Sequence, residues 1–270
     1  MANIENIQAN SNASDGLRSR SFGDSNHTID LVGITADNNS DDGIQLQSTD
    51  SSVFTANAQN VQANLNTGRG VSVLSFVDST NTIDLDGVTV DENEEQGINL
   101  QTTNNSTMIA DLRNIQANSN EFDGIRSRSF DTSDHDATFV NITAENNGLN
   151  GARVRANADS FFDITVSEST LINNDASNLL IQDFSSETAT FDFGSSANGD
   201  GMNTIFGGDA DGGGGENDVE IDVNSGQEVF LIGNFWSDLD GTFDPTSPTS
   251  QITTTNGTFD ASGFLTTDPN

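Results

Sequence analysis

The chain has 270 residues, 42 of them acidic and 8 basic, for a formal net charge of −34, and only 32% are hydrophobic. In bulk these figures sit near the disordered class, and such acidity argues against binding to nucleic acid or to an anionic membrane surface. No apolar stretch approaches the roughly 20 residues that cross a bilayer, and the absence of Cys excludes disulfides and thiolate-ligated metals.

All eight basic residues are Arg, there is no Lys or Tyr, and 17 Phe and 25 Gly are far from the composition of a disordered tail. The opening residues, Met1 to Asn10, contain neither a basic region nor an apolar core, so no secretion signal is expected in them.

In chain order, the first element is Ala2-Asn-Ile4, whose alternation returns as Ile29-Asp-Leu31, Ile83-Asp-Leu85, Ala110-Asp-Leu112 and Ile164-Thr-Val166. A bend follows at Asn6, with Gly33, Asn60, Gly87, Asn114 and Asn141 in the same column; Asn and Gly accept a left-handed backbone most easily. Next comes Ile7-Gln-Ala9, repeated as Ile34-Thr-Ala36, Val61-Gln-Ala63 and onward. Asn12 then opens a column of Asn39, Asn66, Asn93, Asn120, Asn147 and Asn174, expected to be a side-chain ladder inside a buried turn. Gly16 heads the last element, with Gly43, Gly70, Gly97, Gly124 and Gly151 below it and Asn178 in the same place. The strand after it reads Ile44-Gln-Leu46 in one coil and Val71-Ser-Val73 in the next, and Phe22, Phe76, Phe130 and Phe184 recur at its end in alternate coils.

Every column steps by 27 residues. Three alternating runs per period, separated by fixed bends, predict an all-β parallel solenoid whose coils stack about 4.8 Å apart. Asn6 to Phe22 also returns almost unchanged as Asn114 to Phe130, so four periods were duplicated together.

The regular coils are expected over 1–204, with irregular terminal coils over 205–270. Since the pattern already runs through Ala2 and Ile4, the solenoid is expected to continue upstream in a parent chain. In the second part, Gly207 to Asp218 is too glycine-rich for a regular coil, and strands are expected to resume at Val219–Val223 and Val229–Ile232. Asn234-Phe-Trp236, ahead of Pro245 and Pro248, resembles the closing coil of many β-helix repeat proteins, which implies that Trp236 is a cap residue.

The Gly-Ile start of the first strand, the Asn column and the Asn/Gly bend resemble the right-handed parallel β-helix repeat proteins of the pectin-lyase-like superfamily, over roughly residues 1 to 204. The resemblance implies a right-handed single-stranded parallel β-helix with three short strands per coil, a place outside the cell or on its surface, and an active groove along the outer face of the first strand. Those outer positions are Arg18 and Arg20, Gln45 and Gln47, Ser72 and Leu74, Asn99 and Gln101, Arg126 and Arg128, Arg153 and Arg155, then Leu180 and Gln182. No carboxylate stands among them, and glycoside hydrolysis needs a pair, so no catalytic residue is assigned. His27 and His135 share a column roughly 19 Å apart along the axis and cannot cooperate.

The expected function is a non-catalytic, stalk-like or adhesin-like scaffold that contacts cell-surface glycans. The alternative is a lyase-like enzyme acting on an acidic polysaccharide, with Arg as base, as pectate-lyase-like enzymes use it beside Ca²⁺. Arg126, Arg128, Arg153 and Arg155 are the candidates for binding sulfate or uronate groups, because the guanidinium fork holds oxyanions bidentately. A competing reading pairs them with nearby acids such as Asp123, as Arg18 would pair with Asp15. Calcium is the one cofactor with candidate ligands: Asp209, Asp211, Glu216 and Asp218 in the glycine-rich run, and Asp84 with Asp111 in adjacent coils.

Overall fold

The computed structural model describes residues 1–186, 189–193, 203–206, 219–224, 228–231, 234–237, 252–256 and 258–260. The described residues are all-β and contain no helix long and apolar enough to cross a membrane. They form a parallel β-solenoid. One sheet stacks the strands Leu17–Ser21, Ile44–Ser48, Val71–Phe76, Ile98–Thr103, Ile125–Ser129, Ala152–Ala158, Leu179–Ser185, Val219–Val223 and Ile252–Asn256. The other begins with Ala2–Glu5, Asn26–Val32, Val53–Gln62, Thr80–Thr89, Thr107–Gln116 and Asp134–Glu145.

Pairing follows the 27-residue register from Ala2↔Ile29 and Leu17↔Ile44 down to Ala152↔Leu179. It then lengthens, with Leu179 paired to Val219 and Val219 to Ile252, so the coils go on past the glycine-rich run with larger turns. The second and third legs are not separate strands in the middle coils: Val53–Gln62, Thr80–Thr89, Thr107–Gln116 and Asp134–Glu145 each run through the bend. The bend residue is left-handed all the same, with φ of 53° at Asn60, 66° at Gly87 and 54° at Asn114.

Alternation puts every second residue of each leg inside, and Leu31, Ala58, Leu85, Leu112, Phe139 and Val166 form one buried row. Burying a side chain of the Val, Leu or Phe size contributes roughly 1.5–3 kcal/mol, so a chain poor in hydrophobic residues still builds a core by repeating the same few positions. His27 and His135 belong to this inner wall. His27 stacks on Phe54 at 5.2 Å, and the fully buried His135 meets Phe162 edge-on while its ring nitrogens lie 2.9 Å from Thr102 Oγ1 and 3.1 Å from Ser127 Oγ.

The turn after the third leg is held by three columns of side chains, the last of them running through Asp42, Asp123 and Asn150, each of which accepts the backbone N–H of the residue one coil on. In the middle one, Oδ1 of each Asn accepts both the backbone N–H and the Nδ2 of the Asn one coil before, as Asn93 does from Asn66 at 3.0 Å each. The bonds run from Asn12 to Asn174, where Asn178 Oδ1 takes the role of the next rung and accepts Asn174 Nδ2 at 2.7 Å. Two residues earlier, Asn10, Asp37, Asn64, Asp91 and Asn118 each accept the N–H of the residue one coil on. Between the two columns stands a left-handed residue in every coil, including Leu65 at φ 58° and Glu92 at φ 56°. The glycine column follows from the middle ladder: a Cβ at Gly43 would lie 2.7 Å from Asn66 Nδ2 and 2.8 Å from the Gly70 carbonyl, and Gly124 is equally crowded by Asn147.

Candidate functional site

The outer face of the sheet that starts at Leu17–Ser21 carries the arginines. Strand pairing sets Arg126 beside Arg153 and Arg128 beside Arg155, with Asn99 and Gln101 one coil earlier and Leu180 and Gln182 one coil later. Amide side chains fix the guanidiniums: Arg126 Nε donates to Asn99 Oδ1 at 3.0 Å, Arg128 Nη2 to Gln101 Oε1 at 2.7 Å, and Arg153 Nη2 to Gln182 Oε1 at 2.9 Å.

The Phe column lies on this same outer face, because it follows the inward Ser21 position by one residue. Phe22 and Phe184 are about half exposed, at 52% and 41%. Arg128 lies over the Phe130 ring at 5.5 Å and Arg155 over Phe184 at 5.3 Å, each a cation–π contact that orients the fork.

Among the described residues, none of these four arginines makes an ion pair, whereas Arg18 meets Asp15, Arg69 meets Asp42 and Glu95, and Arg113 meets Asp84 and Asp111. The pairing expected between Asp123 and the patch does not form: Asp123 Oδ1 accepts the backbone and side-chain N–H of Asn150, and its buried Oδ2 has no hydrogen-bond partner. Burial, reinforced by neighbouring Arg126, Arg153, Arg69 and Arg155, lowers the pKa of Arg128 to about 10. Burial lowers those of Arg126 and Arg155 too; Asp123 opposes the shift at Arg126, while Arg153 adds to the shift at both. The Nε atoms of Arg128, Arg153 and Arg155 are buried and find no hydrogen-bond partner. Chemically this is a crowded, under-neutralised cluster of bidentate donors on a protein of net charge −34.

Sequence reasoning missed one part of this face. It placed no carboxylate there, yet the strand Val219–Val223 pairs Glu220 with Leu180 and Asp222 with Gln182, in the two arginine columns. The step from Leu179 to Val219 is 40 residues rather than 27, so stacking on the fixed period could not bring them into line. The alternation of Val219-Glu-Ile-Asp-Val223 was the available signal.

The other expected sites lie elsewhere. Asp84 and Asp111, the calcium candidates of adjacent coils, are neighbours in the second sheet, and the guanidinium of Arg113 stands between them, 2.5 Å from Asp84 and 3.6 Å from Asp111. Asp209, Asp211, Glu216 and Asp218 lie outside the described residues. Trp236 is placed as backbone opposite Ile205, and its side chain lies outside what is described.

No protein-family model and no curated protein matches the chain. Among solved structures it is similar to the A-module of mannuronan C-5 epimerase AlgE6 from Azotobacter vinelandii, at 15% identity and a TM-score of 0.43, over 97% of this chain and 80% of that one.

Proposed function

We propose that this chain is a scaffold segment of an extracellular or surface repeat protein, related to the pectin-lyase-like β-helices, that holds acidic glycan chains on its arginine face without cleaving them. The observation that carries the reading is the group Arg126, Arg128, Arg153 and Arg155, four guanidiniums in two adjacent coils with no carboxylate at ion-pair distance among the described residues. Two like charges about 5 Å apart repel by roughly 1 kcal/mol in water and several-fold more at a partly buried surface. A sulfate or carboxylate seated between the forks removes that repulsion and gives the buried Nε donors an acceptor. Coils about 4.8 Å apart present such forks in a regular row, and the flanking Phe rings offer apolar faces for sugar rings.

The test is binding of sulfated and uronate-rich polysaccharides as a function of salt. Binding should weaken as salt rises and should be lost in Arg126→Gln/Arg153→Gln. Absence of binding at low salt, or binding indifferent to that double substitution, overturns the proposal.

The lyase-like alternative gains one specific support, the carboxylates Glu220 and Asp222 in the same columns as the arginines. It requires chain cleavage that falls in Glu220→Gln and Asp222→Asn while glycan binding persists. The scaffold reading predicts no new reducing or unsaturated ends.

A further inference from the structure

A second charged cluster lies off the arginine face, in the turn that enters the first leg of the first two coils. Carboxylate oxygens of Asp15, Asp41 and Asp42 lie within 4.8 Å of one another. Asp41 is exposed, whereas the side chains of Asp15 and Asp42 are each only 3% exposed. Asp42 is well bonded, accepting the Arg69 backbone N–H at Oδ1 (2.9 Å) and Gln45 Nε2 at Oδ2 (3.2 Å), with Arg69 Nη1 3.7 Å away. Asp15 is not. Both its oxygens are buried and neither accepts a well-formed hydrogen bond: the Asp42 backbone amide lies nearby and Arg18, at 3.5 Å, is its counter-charge. Arg69, the other cation nearby, is engaged more closely by Glu95 at 3.0 Å.

The internal duplication supplies a comparison within the same molecule. Four periods on, Asp123 and Arg126 stand where Asp15 and Arg18 do, but Leu149 and Asn150 replace Asp41 and Asp42. In that copy the aspartate accepts the Asn150 side chain at 2.7 Å and its backbone N–H at 3.3 Å. In the first copy the amide donor has become a carboxylate and a further carboxylate has been added beside it. Burial first, then the charges of Asp41 and Asp42, push the Asp15 carboxyl above its ordinary range, although Arg18 and the Asp42 backbone amide pull the other way.

We propose that Asp15, Asp41 and Asp42 bind one divalent cation, Ca²⁺ in preference to Mg²⁺, with the buried Asp15 oxygens as inner ligands and the exposed Asp41 closing the site from the solvent side. Ca²⁺ accepts irregular sets of six to eight oxygens, whereas Mg²⁺ demands a near-octahedral one, and three aspartates drawn from two stacked turns are irregular. The bound ion ties those turns together through charges that otherwise repel.

The experiment is calorimetric titration of the full chain with CaCl₂ at about 0.3 M NaCl, where loose counter-ion attraction is screened. A saturable site with a Kd of roughly 10⁻⁴ to 10⁻³ M is expected, as for weak carboxylate sites on extracellular modules. Because affinity follows ligand charge count, Asp15→Asn and Asp41→Asn should each weaken that site by at least about tenfold, and the exposed control Asp24→Asn should leave it intact. Thermal melts should show Ca²⁺ raising Tm in the parent and in Asp24→Asn but not in the other two. A saturable site unaffected by both Asp15→Asn and Asp41→Asn overturns the proposal, as does the absence of saturable binding at millimolar Ca²⁺. Asp41 is exposed, so Asp41→Asn keeps the test decisive if Asp15→Asn alters folding.

Discussion

Replacing Asn93 by Ala removes one rung from the middle of the buried ladder. Its Oδ1 accepts Asn66 N and Asn66 Nδ2, both at 3.0 Å, and its own Nδ2 donates to Asn120 Oδ1 at 3.0 Å. Asn120 keeps an acceptor role toward the Asn93 backbone N–H, so the damage falls on Asn66, which is fully buried. Two donors of Asn66 lose their acceptor, and a buried unsatisfied donor costs about 1–3 kcal/mol, which gives a loss of about 2–6 kcal/mol. Asn12→Ala is the matched control: Asn12 is exposed, no described donor points at its Oδ1, and the change should cost less than about 1 kcal/mol. Asn93→Asp keeps the acceptor but sets a carboxylate oxygen against Asn120 Oδ1, so it should be destabilising at neutral pH and partly recover once the acid is protonated. Urea unfolding followed by circular dichroism reads the overall change. Because neighbouring coils stabilise one another pairwise, hydrogen exchange at the Asn66 amide supplies the local reading. Equal costs for Asn93→Ala and Asn12→Ala, or an unchanged Asn66 amide, would refute the view that the ladder satisfies otherwise orphaned buried donors.

Leu65 is half exposed and left-handed, so Leu65→Gly relieves about 1–2 kcal/mol of backbone strain against a smaller entropic cost in the unfolded chain; a calorimetric Tm above the parent's is expected. Gly97→Ala forces a Cβ to 2.7 Å from the Gly124 carbonyl and 2.9 Å from Asn120 Nδ2, and should lower stability by about 1–3 kcal/mol, read by urea midpoint. Burial lowers the pKa of His135 to about 3, below the ordinary 6.5, so the unfolded chain binds a proton in that window and the folded one does not. Stability should therefore fall as pH drops from about 6.5 toward 3, and His135→Gln should remove close to one proton from the slope of unfolding free energy against pH.

The coil was legible because a solenoid repeats each local environment every 27 residues, and a repeated environment selects a repeated residue type. The inward rows, the Asn ladder, the Asn/Gly bend and the crowded glycine could be read directly from the columns. The outward direction of Phe22 was present in the alternation, since it follows the inward Ser21. The alternating column from Asn10 to Asn118 was equally present, as residues that all offer an acceptor oxygen. The left-handed column through Ser11, Asn38, Leu65 and Glu92 was not legible, because acceptors on both sides hold the backbone there whatever the side chain.

Three things waited for the tertiary structure. Glu220 and Asp222 reach the arginine face only because a 40-residue step preserves strand pairing where the period fails. Arg126, Arg128 and Arg153 meet amide oxygens of Asn99, Gln101 and Gln182 in place of acids, a choice set by side-chain geometry between coils. Asp15, Asp41 and Asp42 converge because they come from successive coils, and only stacking decides that one of them is buried without a well-formed hydrogen bond. A linear pattern fixes which face a residue occupies; which neighbour neutralises its charge depends on side-chain geometry between coils, and that is where this protein's candidate sites arise.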